Sequence, residues 1–297
     1  MKRNTLVLVV VLGVLLLVAV LVMQKPGEIS STGEAGDPLT AVDSLALDRI
    51  EINAPASAVV LQKKGVEWYL QEPLAYRADQ ASVASLVHDV RTLRVTNIVS
   101  NKPEKFGVFQ VDSTGTRVRL FAGGKETSSF VLGKATTSYL EMYARREGSN
   151  DVLLVSGASA YVFSRPVRDW RDKSIVAVSR ESIADVHYQY GDTTFVLAMK
   201  DSVWTIGGEK AQVDAVNTLL NSLASVQADD FVDTVMVQPP RVTAQIAYAG
   251  VQLNFFFIKQ GEKYLVQQSG SSQWFEMQSW RASQLLKRKK DLTASTR

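Results

Sequence analysis

The chain has 297 residues, 46% of them hydrophobic, with a formal net charge of +3 and no cysteine. Lys2 and Arg3 supply two of those positive charges, so the remainder is close to neutral and gives no electrostatic case for nucleic acid. The missing cysteines exclude disulfides, thiolate metal sites, cysteine nucleophiles and lipoprotein acylation. The apolar content over this length is ample for a core that needs no covalent staples.

Leu6 to Met23 carries no charged or strongly polar side chain, and only Gly13 interrupts its Leu, Val and Ala. Eighteen residues at about 1.5 Å each make a rod of roughly 27 Å, close to the roughly 30 Å of a bilayer's hydrocarbon core. Residues 1–23 therefore read as a cytoplasmic N-terminus followed by a transmembrane helix. Lys2 and Arg3 precede the span, while Lys25 and then Glu28, Glu34, Asp37 and Asp43 follow it. By the positive-inside rule the N-terminus is cytoplasmic and the C-terminal bulk is periplasmic or otherwise extracytoplasmic. The rival is a cleaved signal peptide. The apolar run is longer than the usual h-region, and Leu21-Val22-Met23-Gln24-Lys25 offers no small-x-small cleavage site. The expected location is a bacterial inner membrane, with a single-pass anchor.

Residues 24–44 shift to Gly, Ser, Thr, Pro and Glu without apolar periodicity, the composition of a flexible tether. An internal repeat follows. Val59 to Leu70 and Phe195 to Ile206 each read as a strand, a tight turn and a second strand entered through Trp68 or Trp204. An amphipathic helix comes next in both. Val83, Leu86, Val87 and Val90 recur at helical spacing in the first, and Val213, Val216, Leu220 and Leu223 in the second. Short β-like pieces follow at Asn97 to Val99 and Asp230 to Val232.

Each half then continues as antiparallel strands. The first half has 117–122, 127–132, 140–145 and 152–155, with turns at Gly123-Gly124 and at 147–150. The second has 242–248, 252–258, 264–267 and 274–277, with turns at Ala249-Gly250 and at 260–262. Helices are expected over 158–170 and 279–290. Lys105 to Val108 has no counterpart in the second half. The fold class is α+β. Two similar units, 45–174 and 175–297, each carry a mostly antiparallel sheet packed by an amphipathic helix, the second with a basic C-terminal helix.

The order of several short motifs adds to this reading. They are Ile50-Glu51-Ile52, Trp68 with Glu72-Pro73, Ala78-Asp79 at a helix start, Phe106-Gly107-Val108, Leu132-Gly133-Lys134, a strand about Tyr143, and Arg171-Asp172-Lys173. This series resembles the bacterial family designated domain of unknown function 4340 (DUF4340), over most of residues 45 to 290. The resemblance implies one N-terminal span and an exported domain, and genes often adjacent to a membrane transport system of the gliding-motility ABC type. It implies partner components of such a system and no catalytic residues.

No constellation in the chain points to chemistry. His88 and His187 have no metal-ligand neighbours at helical or strand spacing, and Thr218 is the expected counterpart of His88 in the second repeat, so no paired metal site is expected. Ser159 in Gly157-Ala158-Ser159-Ala160 resembles a nucleophile elbow weakly, without the final Gly. Gly123-Gly124-Lys125 reads as a hairpin turn rather than a phosphate loop. Asp229, Asp230 and Asp233 form a carboxylate cluster, but adjacent strand residues face opposite ways, so solvated turn charge is the plainer reading. Trp68 and Trp204 are either core anchors of their units or sugar-stacking platforms. In Leu253 to Ile258, Phe255 and Phe257 share one face and Phe256 and Ile258 the other, which is the pattern of a covered central strand or of a docking face. Lys287 to Lys290 reads as cations at a helix C-terminus, or as a contact to anionic lipid worth about 1 kcal/mol per residue.

No catalytic, cofactor-binding or metal residue is assigned, and no cofactor is expected. The leading expectation is a non-enzymatic, membrane-anchored accessory or scaffolding subunit of an ABC-type transport or envelope complex. Its contacts would be the bilayer through residues 6–23 and a membrane-protein partner. The alternatives are an exported module binding envelope glycan or peptide, and a hydrolase with an unrecognised site.

Overall fold

A computed structural model describes residues 36–234, 240–259 and 261–293. The expected span at 6–23 and the tether up to residue 35 lie outside the described residues. No helix among the described residues is long and apolar enough to cross a membrane. The chain divides into two compact units after Arg171.

The first unit opens with β1 (Leu47–Ala54), β2 (Ser57–Lys64), β3 (Glu67–Glu72) and β4 (Tyr76–Arg77), a run of antiparallel hairpins. Helix α1 (Gln80–Thr92) follows, then β5 (Arg94–Ser100), a short α2 (Phe106–Phe109), and β6 (Thr116–Ala122), β7 (Lys125–Ala135), β8 (Glu141–Arg146) and β9 (Val152–Ser156). The strands form one sheet in the order β4-β3-β2-β1-β6-β7-β8-β9-β5. A four-residue α3 (Ala160–Phe163) and a 3-10 turn (Val167–Trp170) close the unit.

The second unit repeats this plan. It runs β10 (Ser174–Ala177), β11 (Asp185–Tyr190), β12 (Thr194–Lys200), β13 (Val203–Ile206), β14 (Glu209–Lys210) and α4 (Val213–Ala224). Then come β15 (Ser225–Gln227), β16 (Asp230–Val232), β17 (Ala244–Tyr248), β18 (Val251–Ile258), β19 (Lys263–Gln268), β20 (Trp274–Gln278), α5 (Ser279–Leu285) and α6 (Lys289–Leu292). Its sheet order, β14-β13-β12-β11-β17-β18-β19-β20-β16, is that of the first unit, position for position. Two mostly antiparallel sheets of one topology, each with few helices, bear out the α+β duplication in its coarse form.

Strand alternation places the core. Ile50, Ile52, Val118, Leu120, Phe130 and Leu132 turn inward to meet Val83, Leu86 and Val90 of α1. Tyr188, Ile246, Leu253 and Phe255 meet Val216, Leu219, Leu220 and Leu223 of α4 in the same way. The second stripe thus differs from the expected one: Val213 is exposed and Leu219 is buried. The cause is a shift of one helical turn in the repeat alignment. Ala78 and Ala211 occupy equivalent places, since their N–H groups donate to Trp68 O and Trp204 O. On that alignment Val83 matches Val216, and His88 matches Asn221 rather than Thr218.

The boundaries also shift. Gly36 to Thr40 was expected to be tether. Instead Gly36 N–H donates to Val95 O (2.7 Å), Val95 N–H to Asp37 O (2.8 Å) and Leu39 N–H to Leu93 O (3.0 Å), with Leu39 buried in the core. β10 does the same for the second unit by pairing with β15. Each unit therefore begins with a segment laid along the strand after its main helix. That pairing draws Ser174 into the second unit, ahead of the expected start at 175.

The expected helix over 158–170 is two pieces. Pro166 disfavours helical backbone at Arg165, so α3 ends before it. The expected helix over 279–290 also breaks, between α5 and α6. Here the carbonyls of Leu285 and Lys287 are taken by Tyr188 Oη (3.0 Å) and Tyr190 Oη (2.6 Å). Tyr248 Oη likewise donates to Leu223 O (2.9 Å) near the end of α4. Phenol hydroxyls from the sheet thus serve as donors to helix-end carbonyls that lack intrahelical partners.

Two predictions follow from this packing. A Cβ on Gly133 would lie 2.1 Å from Phe109 O and 2.9 Å from Val111 Cγ1. Gly133→Ala is expected to cost about 2–4 kcal/mol in urea unfolding, against no measurable cost for Gly191→Ala, where a Cβ meets nothing within 4 Å. Burial pushes the phenols of Tyr188, Tyr190 and Tyr248 above the ordinary tyrosine range. Unfolded tyrosines ionise near pH 10, so above that pH the unfolded chain binds fewer protons than the folded one and stability falls as pH rises. The expected result is a late phenolate absorbance step at 295 nm, coincident with loss of near-ultraviolet circular dichroism. Ionisation of all nine tyrosines near pH 10 with the fold intact would contradict it.

Candidate functional site

In each unit one face of the sheet packs on the helix, and the opposite face carries a groove over the equivalent central strands. In the first unit the groove has a volume of about 320 Å³ and is lined by Asp48, Arg49, Glu51, Gln62, Arg119, Phe121 and Gly124, from β1, β2, β6 and the β6–β7 turn. Glu51 is 8% exposed. It is held between two guanidinium groups: Arg49 Nε donates to Oε1 (2.8 Å) and Arg119 Nη1 to Oε2 (2.8 Å). Arg119 also pairs with Glu126 (2.6 Å), and both arginines lie over the Phe121 ring at 5.5 and 5.1 Å. Residues on β1 and β6 that alternate with the core positions thus form a continuous ion-pair lattice.

The groove of the second unit is larger, about 400 Å³, and is lined in part by His187, Gln189, Thr194, Val196, Gln245 and Gln252. Where the first unit has ion pairs, this one has amides. Gln245 Nε2 donates to Asn254 Oδ1 (2.7 Å), Gln252 Nε2 to the same oxygen (3.2 Å), and Asn254 Nδ2 to Ser269 Oγ (3.1 Å). His187 Nε2 sits 3.1 Å from Asp185 Oδ1, two residues along the same strand face.

Beside each groove the same sheet face is closed by apolar packing. In the first unit residues 106–115 fold back onto β7 and β8. Phe109 meets Tyr143 at 4.7 Å, Arg145 lies 4.6 Å from the Phe106 ring centre and donates to Val111 O (2.9 Å), and Val111 and Val131 are fully buried. Gly115 and Gly133 permit the approach, since a Cβ on either would strike backbone carbonyls. In the second unit Phe256 and Leu265 are buried on the corresponding face, with Phe256 4.8 Å from Trp274.

The residues singled out in the sequence do not converge. His88 is exposed on α1. Ser159 is the N-cap of α3 and accepts from Tyr161 N–H (3.3 Å), a structural role. Gly123 and Gly124 form a hairpin turn at positive φ, where Gly124 N–H donates to Asp48 Oδ2 (3.1 Å). Asp229 is not a solvated turn charge. Its carboxylate accepts from Arg281 (3.0 Å) and from Gln278 N–H (2.8 Å), which fixes the start of α5. Trp68 is 9% exposed within the first core, and Trp204 packs half-buried against the second. Both are core anchors of their units.

Phe255 and Phe256 are buried on opposite faces of β18, an interior strand, and only Phe257 near its end is exposed. The basic run does not end a helix. Lys287 and Arg288 fall in the break, and Lys289 and Lys290 open α6. Arg288 lies 3.8 Å from the Tyr190 ring centre and pairs with Asp192, and Lys289 pairs with Glu209, so packing within the unit replaces the helix-dipole role. Neither groove was anticipated. Its signal was present in the charged alternation of Arg49 and Glu51 with Ile50 and Ile52, and of Arg117 and Arg119 with Val118 and Leu120.

Glu51→Ala would leave two arginines facing each other at a largely covered site. A loss of about 2 kcal/mol in urea unfolding is expected, against about 0.5 kcal/mol for the more exposed Glu126→Ala.

Among the described residues no group of three or more His, Cys, Asp or Glu side chains could hold a metal ion. No curated protein and no solved structure matches the chain significantly. A family model, domain of unknown function (DUF4340), matches residues 68–245, from the Trp68 strand of the first unit into β17 of the second. Every motif of the resemblance except Ile50-Glu51-Ile52 falls inside that span. Phe106-Gly107-Val108, Leu132-Gly133-Lys134 and Tyr143 meet in the packing beneath α2, and Ala78-Asp79 meets Arg171 at a β-bridge. The chain belongs to the DUF4340 family.

Proposed function

We propose that this protein is a non-catalytic accessory subunit, held at the inner membrane by residues 6–23, that presents its two sheet faces to a membrane-protein partner in an ABC-type transport or envelope complex. The observation that carries the proposal is the duplication with divergent surfaces. One fold is built twice, and the two equivalent faces differ in chemistry, an arginine–carboxylate lattice on β1 and β6 and an amide row on β17 and β18. Duplication preserves a scaffold while the exposed faces change, which is how two dissimilar patches of one partner are recognised. The apolar segment at 6–23, with Lys2 and Arg3 before it, supports the membrane location.

The test is co-purification of the full chain from detergent-solubilised membranes. Transport-complex subunits are expected to be recovered with the wild type and to fall about five- to thirtyfold with Arg119→Glu or Gln245→Arg, since a rim charge reversed or introduced costs on the order of 1–2 kcal/mol. Recovery of no membrane-protein partner, or equal recovery with both variants, would overturn the proposal.

The groove over β11 and β17 favours a second reading, a binding site for envelope glycan or peptide, because its amide side chains can both donate and accept. Trp68, buried in its core, and Trp204, half-buried against its own, do not line this groove. Chemical-shift changes confined to Gln189, Gln245 and Gln252 on adding glycan fragments would support this reading, and none would remove it.

A further inference from the structure

We infer that the β7–β8 hairpin tip of the first unit, Tyr139-Leu140, is a membrane-contact element that seats this unit on the same bilayer that holds the chain's N-terminal segment. The inference rests on the reading of residues 6–23 as a membrane span.

The tip is unusual in its exposure. Tyr139 is 84% exposed and Leu140 is 76% exposed, side by side at the end of a hairpin. Tyr139 has φ of 59°, a left-handed conformation that costs a non-glycine residue about 1 kcal/mol. The turn is nonetheless well defined. Thr136 N–H donates to Glu141 O (2.8 Å), Tyr139 N–H donates to Thr136 O (3.0 Å), and Thr136 Oγ1 lies 3.0 Å from Ser138 Oγ. A rigid turn that projects a tyrosine and a leucine suits the boundary between headgroups and acyl chains, where the phenol stays hydrated and the leucine is buried.

The duplication supplies an internal comparison. The equivalent hairpin of the second unit joins β18 to β19 through Lys259 and Gly261-Glu262, with no apolar residue at any of these three described positions. The same turn in the same fold is apolar in one copy and polar in the other. The apolar copy belongs to the unit that directly follows the N-terminal segment.

Position within the unit agrees. Gly36, the first described residue, donates to Val95 O, and Thr96 Oγ1 donates to Glu141 Oε1 (2.8 Å) at the base of the tip. Gly36, β5, β9 and β8 lie successively side by side, so at about 4.8 Å per strand the chain enters the unit about 15 Å from the tip. Residues 24–35 join Gly36 to the end of the apolar segment at Met23. Twelve residues reach at most about 40 Å, so the first unit, with the tip, stays within that distance of the end of the apolar segment. Lys134 on β7, and Arg91 and Arg94 at the entry to β5, are exposed, with Asp37 exposed and Glu141 half-buried. That balance favours an anionic headgroup layer.

The experiment uses the full chain in nanodiscs of phosphatidylethanolamine and phosphatidylglycerol. Tyr139→Trp and Leu140→Trp each add one reporter to the five native tryptophans. Val66→Trp, on the β2–β3 turn where Val66 is 91% exposed, is the control. The expected result is a blue-shifted added emission for both tip variants that falls to about half or less when acyl chains are brominated, as an interfacial tryptophan should, with the control unquenched.

Resistance to alkaline carbonate extraction reports separately on residues 6–23. Retention in carbonate without quenching at the tip would overturn the inference and leave the membrane-held reading intact. Extraction by carbonate would remove both. A blue shift without bromine quenching would also overturn the inference, since it would mean that protein rather than lipid covers the tip.

Discussion

Each unit depends on a single closure, in which the last residues of the unit return to the start of its main helix. In the first unit Asp79 N–H donates to Trp170 O (2.8 Å), and Ala78 forms a β-bridge with Arg171. In the second, Gln212 N–H donates to Leu292 O (2.7 Å), and Ala211 bridges Thr293. A helix start exposes N–H groups that the helix itself cannot satisfy. Here one of them, beside the tryptophan strand, is met by the closing segment of the same unit. The helix is thereby fixed on the sheet by residues about 90 positions away in the first unit and 80 in the second, and strand pairing and core burial are completed only when that closing segment is present.

Around this shared closure the two units satisfy the same need with different residues. In the first, Asp79 caps α1 by accepting from Ser82 N–H (2.7 Å). The Gln80 amide holds the Trp68 backbone from both sides, its Oε1 accepting from Trp68 N–H (2.9 Å) and its Nε2 donating to Trp68 O (2.9 Å). The second has Val213 at the matching position and no side-chain cap on α4. It relies instead on a richer apolar stripe, with four buried residues to the three of α1, and on tyrosines that reach helix-end carbonyls. Arg171, nearly fully buried with its guanidinium 4.5 Å from the Tyr76 ring centre, has no charged analogue at Thr293.

Most of the architecture was legible because its signals are local. The Val59 to Leu70 and Phe195 to Ile206 hairpins, the glycine turns and the two helical stripes each declare themselves within about a dozen residues. What escaped depends on distant partners. Leu39 sits in a polar, Pro- and Gly-rich stretch, and only Leu93 and Val95 make it part of the fold. The break before Lys289 is set by hydroxyls of Tyr188 and Tyr190, nearly a hundred residues away. The shift of one turn in the second helix came from the apolar Val213, which local periodicity cannot distinguish from a core residue. The grooves escaped for another reason. Charged and amide residues on a solvent-side sheet face read as ordinary surface until strand order brings Arg49, Glu51 and Arg119 together.

The manner in which both sheets end has its own consequence. At one margin lie β4 and β14, two residues each. At the other margin, β5 is overlaid by the Gly36 to Thr40 segment with Pro38 at the bridge, and β16 is only three residues long, with the preceding β15 covered by β10. Two nine-stranded sheets would otherwise offer long rows of free amides and carbonyls to any neighbouring copy. Trimmed and overlaid in this way, the sheets offer little template for strand-to-strand polymerisation, even at high concentration. Any contact with another chain at these margins would fall to side chains rather than to backbone.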